Sequence, residues 1–251
     1  MLANALHDRP SSGWFPRSVV EHADRNVMKK LVEKLGSEGA KMLNTPETWA
    51  ESRAGRVTVP RASPEYKKVV EYFTHALHGQ RNKVRVVAVE RIQNTPLYQS
   101  YAVKKQTMKA RDAENPDGVV NNREIERQWL FHGTKAEIVP IIVNQGFNRS
   151  FAGRNAVVFG RGVYFARDAS YSSHPSFSEP DEDKIQRMFM CRVAVGDWCR
   201  GTNGQITPGH KPKNPLELFD STVDNVDKPS IFVVYHDSQA YPEYLVSFTR
   251  P

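Results

Sequence analysis

The chain has 251 residues, a formal net charge of +7 and a pI near 9.4. Hydrophobic residues at 39% supply a core, but no run of about 18 apolar residues is present for a membrane-spanning helix. His7, Asp8 and Arg9 interrupt the N-terminus before a signal-peptide apolar region develops, so a cytoplasmic or nuclear protein is expected.

Cys191 and Cys199 are the only cysteines, and the histidines lack metal-ligand spacing. Two free thiols and no structural metal are therefore expected. A basic surface attracts polyanions. The Lys pairs at 29–30, 67–68 and 104–105 fall within helical patterns, however, and read better as solvated faces. Nucleic-acid binding is thus allowed by the charge and not required by it.

Residues 1–17 read as irregular. Ala23, Val27, Leu31 and Leu35 recur at helical spacing, and Gly36 ends the pattern. Thr45-Pro46 offers a second helix start. Residues 1–55 thus read as a helical extension of unassigned role, ahead of a main domain at 56–251. Ser63 and Pro64 predict a helix with a stripe of Tyr66, Val69, Val70, Phe73 and Leu77, stopped at Gly79. "KVRVVAVERI" from Lys83 predicts a strand. Thr95-Pro96 opens a further helix with Leu97, Tyr101 and Met108 on one face, and "ENPDG" closes that section in a turn.

Strand-like runs then dominate: 128–132, 157–159, 162–166, 187–195, 230–235 and 244–248. Short helices are expected at 135–145, interrupted by Pro140, and at 168–173. "YHDSQAYPEY" reads as a loop between the last two strands. The pattern is α+β with mostly antiparallel strands. In "QWLFHGTKAE" an apolar strand ends at His132-Gly133-Thr134, which taken alone is a strand meeting a turn.

Several nucleotide motifs are missing. There is no G-x-x-x-x-G-K-[ST], and "GRGVYF" places Phe165 where G-x-G-x-x-G needs its third glycine. What stands instead is an ordered series: "FHGT", "GFNRSFAGRNAVVFGRGVYFA", "SYSS" and "PSIFVVYHDSQAYPEYLVSF". Together these segments resemble the catalytic domain of the poly(ADP-ribose) polymerase-like ADP-ribosyltransferases. They are most similar to the mono-ADP-ribosylating branch that includes macrodomain-bearing members. The resemblance covers residues 56–251.

The resemblance implies an ADP-ribosyltransferase fold, with split antiparallel sheets and peripheral helices around a cleft for NAD. NAD is consumed as a substrate, and no metal is involved. By this likeness Gly133 holds the nicotinamide carboxamide through its backbone, a side chain there pushing the ring away. His132 bonds the adenosine ribose, and Thr134 borders the nicotinamide ribose. Tyr164, followed by Phe165 and Ala166, stacks on nicotinamide, and Ser172 bonds the carboxamide. Phe177 stands thirteen residues after Tyr164, where the branch carries a second stacking tyrosine. Tyr171 or His174 are the other choices for that role. Arg149, Arg154 and Asn155 flank adenosine and phosphates. Outside the resemblance His132, Tyr164 and Ser172 have plainer readings: core histidine, core strand aromatic and helix cap.

Polymerising members carry Glu as the third triad residue. Aligning "PSIFVVYHD" places Ile231 there. Glu243 competes because its neighbours mimic the motif, but the spacing puts it on the next strand. The function implied is transfer of one ADP-ribose to acceptor proteins, the enzyme itself among them. Alternatives are a catalytically weak NAD- or ADP-ribose-binding domain, an RNA 2′-phosphotransferase and a basic nucleic-acid adaptor. The stretch from Arg61 to His132 is too short for a large helical regulatory domain, so activation by DNA breaks is not expected.

Overall fold

In the computed structural model the described residues are 45–46, 49, 55–122, 124–151 and 157–250. The helical pattern through Ala23, Val27, Leu31 and Leu35 lies outside them. One compact unit spans Thr45–Pro251. It therefore begins ahead of Arg56: Trp49 lies 5.3 Å from the Tyr98 ring and 6.1 Å from Tyr241. Near Thr45-Pro46 the Trp49 N–H donates to the Pro46 carbonyl at 2.9 Å, and Thr45 and Pro46 themselves are not helical.

Helix α1 (Pro64–His75) starts where Ser63 accepts the Tyr66 N–H at 3.1 Å, and it buries Val69 and Phe73. Its end differs from expectation. Gly79 is not the stop; it lies in a 3-10 turn, His78–Lys83, and His78 takes the left-handed step at φ 50°. The His78 ring is held 3.0 Å from Asp168, a contact that offsets that backbone cost. Helix α2 (Thr95–Glu114) is capped by Asn94 and packs Tyr101 and Met108 against Ile125, Ala194 and Tyr241. In α3 (Val139–Gln145) Pro140 occupies the first turn, where its missing N–H leaves no bond unmade. The last helix is one turn, α4 (Ala169–Ser172).

Eleven strands are described: β1 (Arg56–Thr58), β2 (Arg85–Ile92), β3 (Glu126–Thr134), β4 (Val163–Ala166), β5 (Ile185–Ala194), β6 (Trp198–Arg200), β7 (His210–Lys211), β8 (Asn214–Leu218), β9 (Ser221–Val223), β10 (Ile231–Val234) and β11 (Ala240–Thr249). Nine form one sheet in the order β1-β2-β11-β5-β3-β4-β10-β9-β6, and β7-β8 is a separate hairpin. The pairs are antiparallel except β6–β9. The central strands bury both faces. On one side pack Leu130, Phe147, Phe165, Phe189 and Leu245; on the other pack Phe73, Phe131, Met188, Met190, Val246 and Phe248. Alternation along β3, β5 and β11 sends neighbouring residues to opposite sides, which explains their unbroken apolar runs.

The structure corrects three further readings. Residues 157–159 form a turn closed by Gly160 N–H to Val157 O, not a strand. "YHDSQAYPEY" is loop only as far as Gln239, because β11 begins at Ala240. The strand in "QWLFHGT" continues through Thr134, paired with β5 as far as Thr134↔Arg187.

Arg111 ties α2 to the sheet by forking onto both Asp220 oxygens at 2.8 Å, and Asp220 is 8% exposed. Replacing Arg111 with Ala leaves that buried carboxylate without its cation and should lower the unfolding free energy by about 3 kcal/mol in a urea titration. A loss below about 1 kcal/mol would mean that water satisfies Asp220.

Candidate active site

The site is a fork in the sheet. Along β5 the ladder of β3 is unbroken through His132↔Phe189, Gly133↔Met188 and Thr134↔Arg187. On the opposite edge β4 meets β3 at a single pair, Phe131↔Ala166. The Ser172 hydroxyl, on α4, donates to the Phe131 carbonyl at 3.1 Å. Two residues further on, Gly133 presents its backbone to the same edge, but β4 no longer lies opposite.

A Cβ on Gly133 would fall 2.5 Å from Ser172 O, 2.7 Å from Ser178 Oγ and 2.9 Å from the Phe177 carbonyl carbon. The structural reason for the glycine therefore differs from the expected one. A side chain would strike the protein's own wall, made of α4 and residues 173–178, before it met any ligand. That wall keeps the backbone edge of Gly133 within reach of Ser172.

His132 donates Nδ1–H to the Tyr164 carbonyl at 2.8 Å. A carbonyl only accepts, so this bond selects the tautomer and leaves Nε2 with a free lone pair. Burial pushes the imidazole pKa below its ordinary value, against the raising effect of the Tyr164 bond. The neutral ring is therefore the favoured form, in which Nε2 is an acceptor available to a hydroxyl. Phe147 and Phe165 flank it at 5.0 and 5.6 Å. Thr134 is buried two residues along the same face.

The Tyr164 hydroxyl donates to Gly160 O at 2.8 Å and accepts the Phe159 N–H at 2.9 Å. Its polar end thus anchors the 157–160 turn, and the ring is what Tyr164 offers a ligand. The ladder pairs Val233↔Tyr164 and Ile231↔Ala166 put Tyr164, Ala166 and Ile231 on one face. Phe165 and Ala166 are 1% and 2% exposed; Phe165 closes the crotch of the fork from the opposite face, and Ala166 floors it on the face of Tyr164. Ser172 is 4% exposed; its proton is directed at Phe131, which leaves its lone pairs as acceptors. Phe177 and Tyr171 stack at 4.9 Å and 25°, and His174 meets Phe177 edge-on at 6.4 Å. The three candidates for a second stacking ring therefore form one aromatic cluster. Arg149 donates to the Tyr235 carbonyl at 3.0 Å. Arg154 and Asn155 lie outside the described residues.

Ile231 is 5% exposed at the start of β10, and its N–H donates to Asp224 at 2.9 Å. Burial raises the Asp224 carboxyl, but bonds from Ser230 and Ile231 outweigh it and hold the pKa below the usual range. Glu243 is elsewhere: β5, β3 and β4 intervene between its strand and β10. It lies at a bulge of β11, accepts from the Trp129 indole and from Gln128, and faces Arg192 at 3.7 Å. Sequence reasoning missed Asp224, Ser178, Gln186 and Arg250. For Asp224 a signal existed in the turn-forming "DNVDKPS"; the other three carry no local signature.

Two outcomes are expected of NAD titrated calorimetrically into the protein. Gly133→Ala should weaken binding by about 100-fold, because the wall or the strand edge must shift by about 1 Å; unchanged affinity would disprove this geometry. Affinity should be level above the ordinary histidine pKa of about 6.5 and fall only below it, as protonation removes the Nε2 acceptor of His132. A loss centred above that value would contradict the downward shift.

The sequence profile of the poly(ADP-ribose) polymerase catalytic domain matches residues 63–213, more than half of the chain. Human protein mono-ADP-ribosyltransferase PARP14 is 38% identical over 212 residues, covering 83% of this chain and 11% of the relative. Mouse protein mono-ADP-ribosyltransferase PARP10 is 34% identical over 185 residues, 74% of this chain and 18% of the relative. Mouse protein mono-ADP-ribosyltransferase PARP12 is 35% identical over 194 residues, 77% of this chain and 25% of the relative. The chain thus spans between 11% and 25% of the length of these three relatives. It belongs to the poly(ADP-ribose) polymerase catalytic domain family.

Proposed function

We propose that the domain transfers a single ADP-ribose unit from NAD to a protein side chain and releases nicotinamide. The observation that carries this reading is Ile231, a buried aliphatic residue on the face of Tyr164, where polymerising members place a glutamate. The curated relatives support it, being named as mono-ADP-ribosyltransferases.

The residues suit NAD. The open edge of Gly133 offers an N–H and a C=O to the carboxamide, and the Ser172 lone pairs accept from its NH₂. Tyr164 covers one face of the nicotinamide ring, and Phe177, stacked with Tyr171, covers the other. The free Nε2 of His132 accepts a hydroxyl of the adenosine ribose. Thr134 borders the nicotinamide ribose, while Arg149, Arg154 and Asn155 belong to the adenosine and phosphate end.

In the reaction the ribose–nicotinamide bond breaks and nicotinamide leaves with the electron pair. The ribose carbon becomes oxocarbenium-like and bonds to the acceptor. A glutamate at position 231 would stabilise that charge and take a proton from an attacking sugar hydroxyl; isoleucine does neither. An acceptor carboxylate arrives ionised, so it needs no base and brings its own negative charge. One transfer is then feasible, and elongation lacks its base. Acceptor proteins are the partners, with self-modification included. The free thiols Cys191 and Cys199 suit a reducing cytoplasmic or nuclear setting.

Incubation with labelled NAD followed by intact-mass spectrometry should show added mass of single ADP-ribose units. Ladders of label would overturn the single-unit reading, and NAD binding without nicotinamide release would favour a binding module. Phosphate transfer from RNA would instead support the phosphotransferase alternative. Tyr164→Phe should keep most of the rate, since the hydroxyl serves the turn at a cost of about 1 kcal/mol in stability. Tyr164→Ala should lose about 100-fold in kcat/KM; equal rates for the two variants would remove the stacking role.

A further inference from the structure

We propose that Arg250 is a positioning residue for the nicotinamide end of the cleft, acting through the buried wall that carries Ser172 and Phe177; the proposal rests on the NAD-dependent reading above. Arg250 follows β11. Its Nε donates to Gln186 Oε1 at 3.1 Å. Its Nη2 reaches Ser173 Oγ at 2.7 Å, Ser173 O at 3.1 Å and Gln80 Oε1 at 3.0 Å. Gln186, only 2% exposed, is thereby oriented with its amide nitrogen toward Ser173 O at 3.1 Å and Ser178 O at 2.6 Å. The Ser178 hydroxyl lies 2.9 Å from both Ser172 O and Arg187 O. The chain of contacts ends at Gly133, against which Ser172 O, Phe177 and Ser178 Oγ pack.

The wall needs this support. Residues 173–178 lie outside the ladders, and their own backbone bonds are short-range, such as Phe177 and Ser178 N–H to His174 O. Their distance from β3 is therefore set by side chains, and Gln186 with Arg250 supplies the donors that hold Ser173 and Ser178. An arginine suits the task because Nε and Nη2 address two acceptors in one plane; a lysine has a single charged head. Removing the guanidinium strands buried acceptors on Gln186 and Ser173 and lets the wall drift. The groups nearest a Cβ at Gly133 belong to Ser172, Phe177 and Ser178 and not to Arg250, Gln186 or Gln80, so the effect falls on how well nicotinamide is held. Loss of fold alone would instead lower the active fraction at an unchanged KM.

The test compares wild type, Arg250→Ala, Arg250→Lys and Gln80→Ala. Steady-state nicotinamide release against NAD, calorimetric binding of nicotinamide and thermal midpoints are measured on each. Arg250→Ala should raise KM for NAD and Kd for nicotinamide about tenfold, with kcat changed less than about threefold. Arg250→Lys should fall between, and it carries the test should the alanine variant not fold. Gln80→Ala cuts only the arm to the 3-10 turn and should match wild type. Wild-type KM and Kd in the Arg250 variants, or a loss confined to kcat that tracks the folded fraction, overturns the proposal alone. A wild-type protein that neither binds nor turns over NAD overturns it together with the functional reading.

Discussion

The whole site depends on where β4 parts from β3. One ladder pair, Phe131↔Ala166, joins the two halves of the nine-stranded sheet on that side. Beyond it β3 keeps its partner on the β5 edge and lacks one on the other. An unpaired strand edge inside a fold presents backbone donors and acceptors that must be satisfied. Here α4 and the wall 173–178 pack against that edge, with Ser172 on the Phe131 carbonyl and Ser172, Phe177 and Ser178 beside Gly133. The same pair sets the face on which Tyr164 and Ile231 lie, and the Tyr164 carbonyl sets the tautomer of His132.

Charge is kept out of this fork by two different means. His132 is neutral because burial disfavours the imidazolium. Ile231, on the face of Tyr164, is aliphatic and packs with Ala166, Val233 and Tyr235. The carboxylates weighed for the site serve structure: Asp224 gathers the backbone N–H groups of Ser230 and Ile231, and the distant Glu243 pairs with Trp129 and Arg192 at the strand bulges. A neutral fork lined with aromatic rings offers stacking faces and hydrogen-bond acceptors rather than an acid or a base.

Legibility followed the range of the interactions. α1, α2 and the long strands β2, β3, β5 and β11 were readable because cap residues and apolar periodicity act over a few neighbours. β1, β6, β7, β8 and β9 have 2 to 5 residues each and were not read, because pairing rather than pattern makes them strands. "VVF" at 157–159 looked like a strand and is a turn, since Tyr164 captures its backbone through the phenol. The site was legible only as an ordered set of motifs. His132, Gly133, Tyr164, Ser172 and Ile231 each have a commonplace reading alone.

The sequence by itself determined which residue types stand in the ordered motifs: a histidine, a glycine, aromatic rings, a serine and an isoleucine. These are properties of side chains and of their order along the chain. The tertiary structure decided how they act. It assigned the glycine to a wall contact, the tyrosine hydroxyl to a turn and the histidine proton to a carbonyl. It also brought Arg250, far along the chain, against Ser173 and Gln186 beside the cleft. Such contacts span long sequence separations and depend on distances of about 3 Å, which no local pattern of residues encodes.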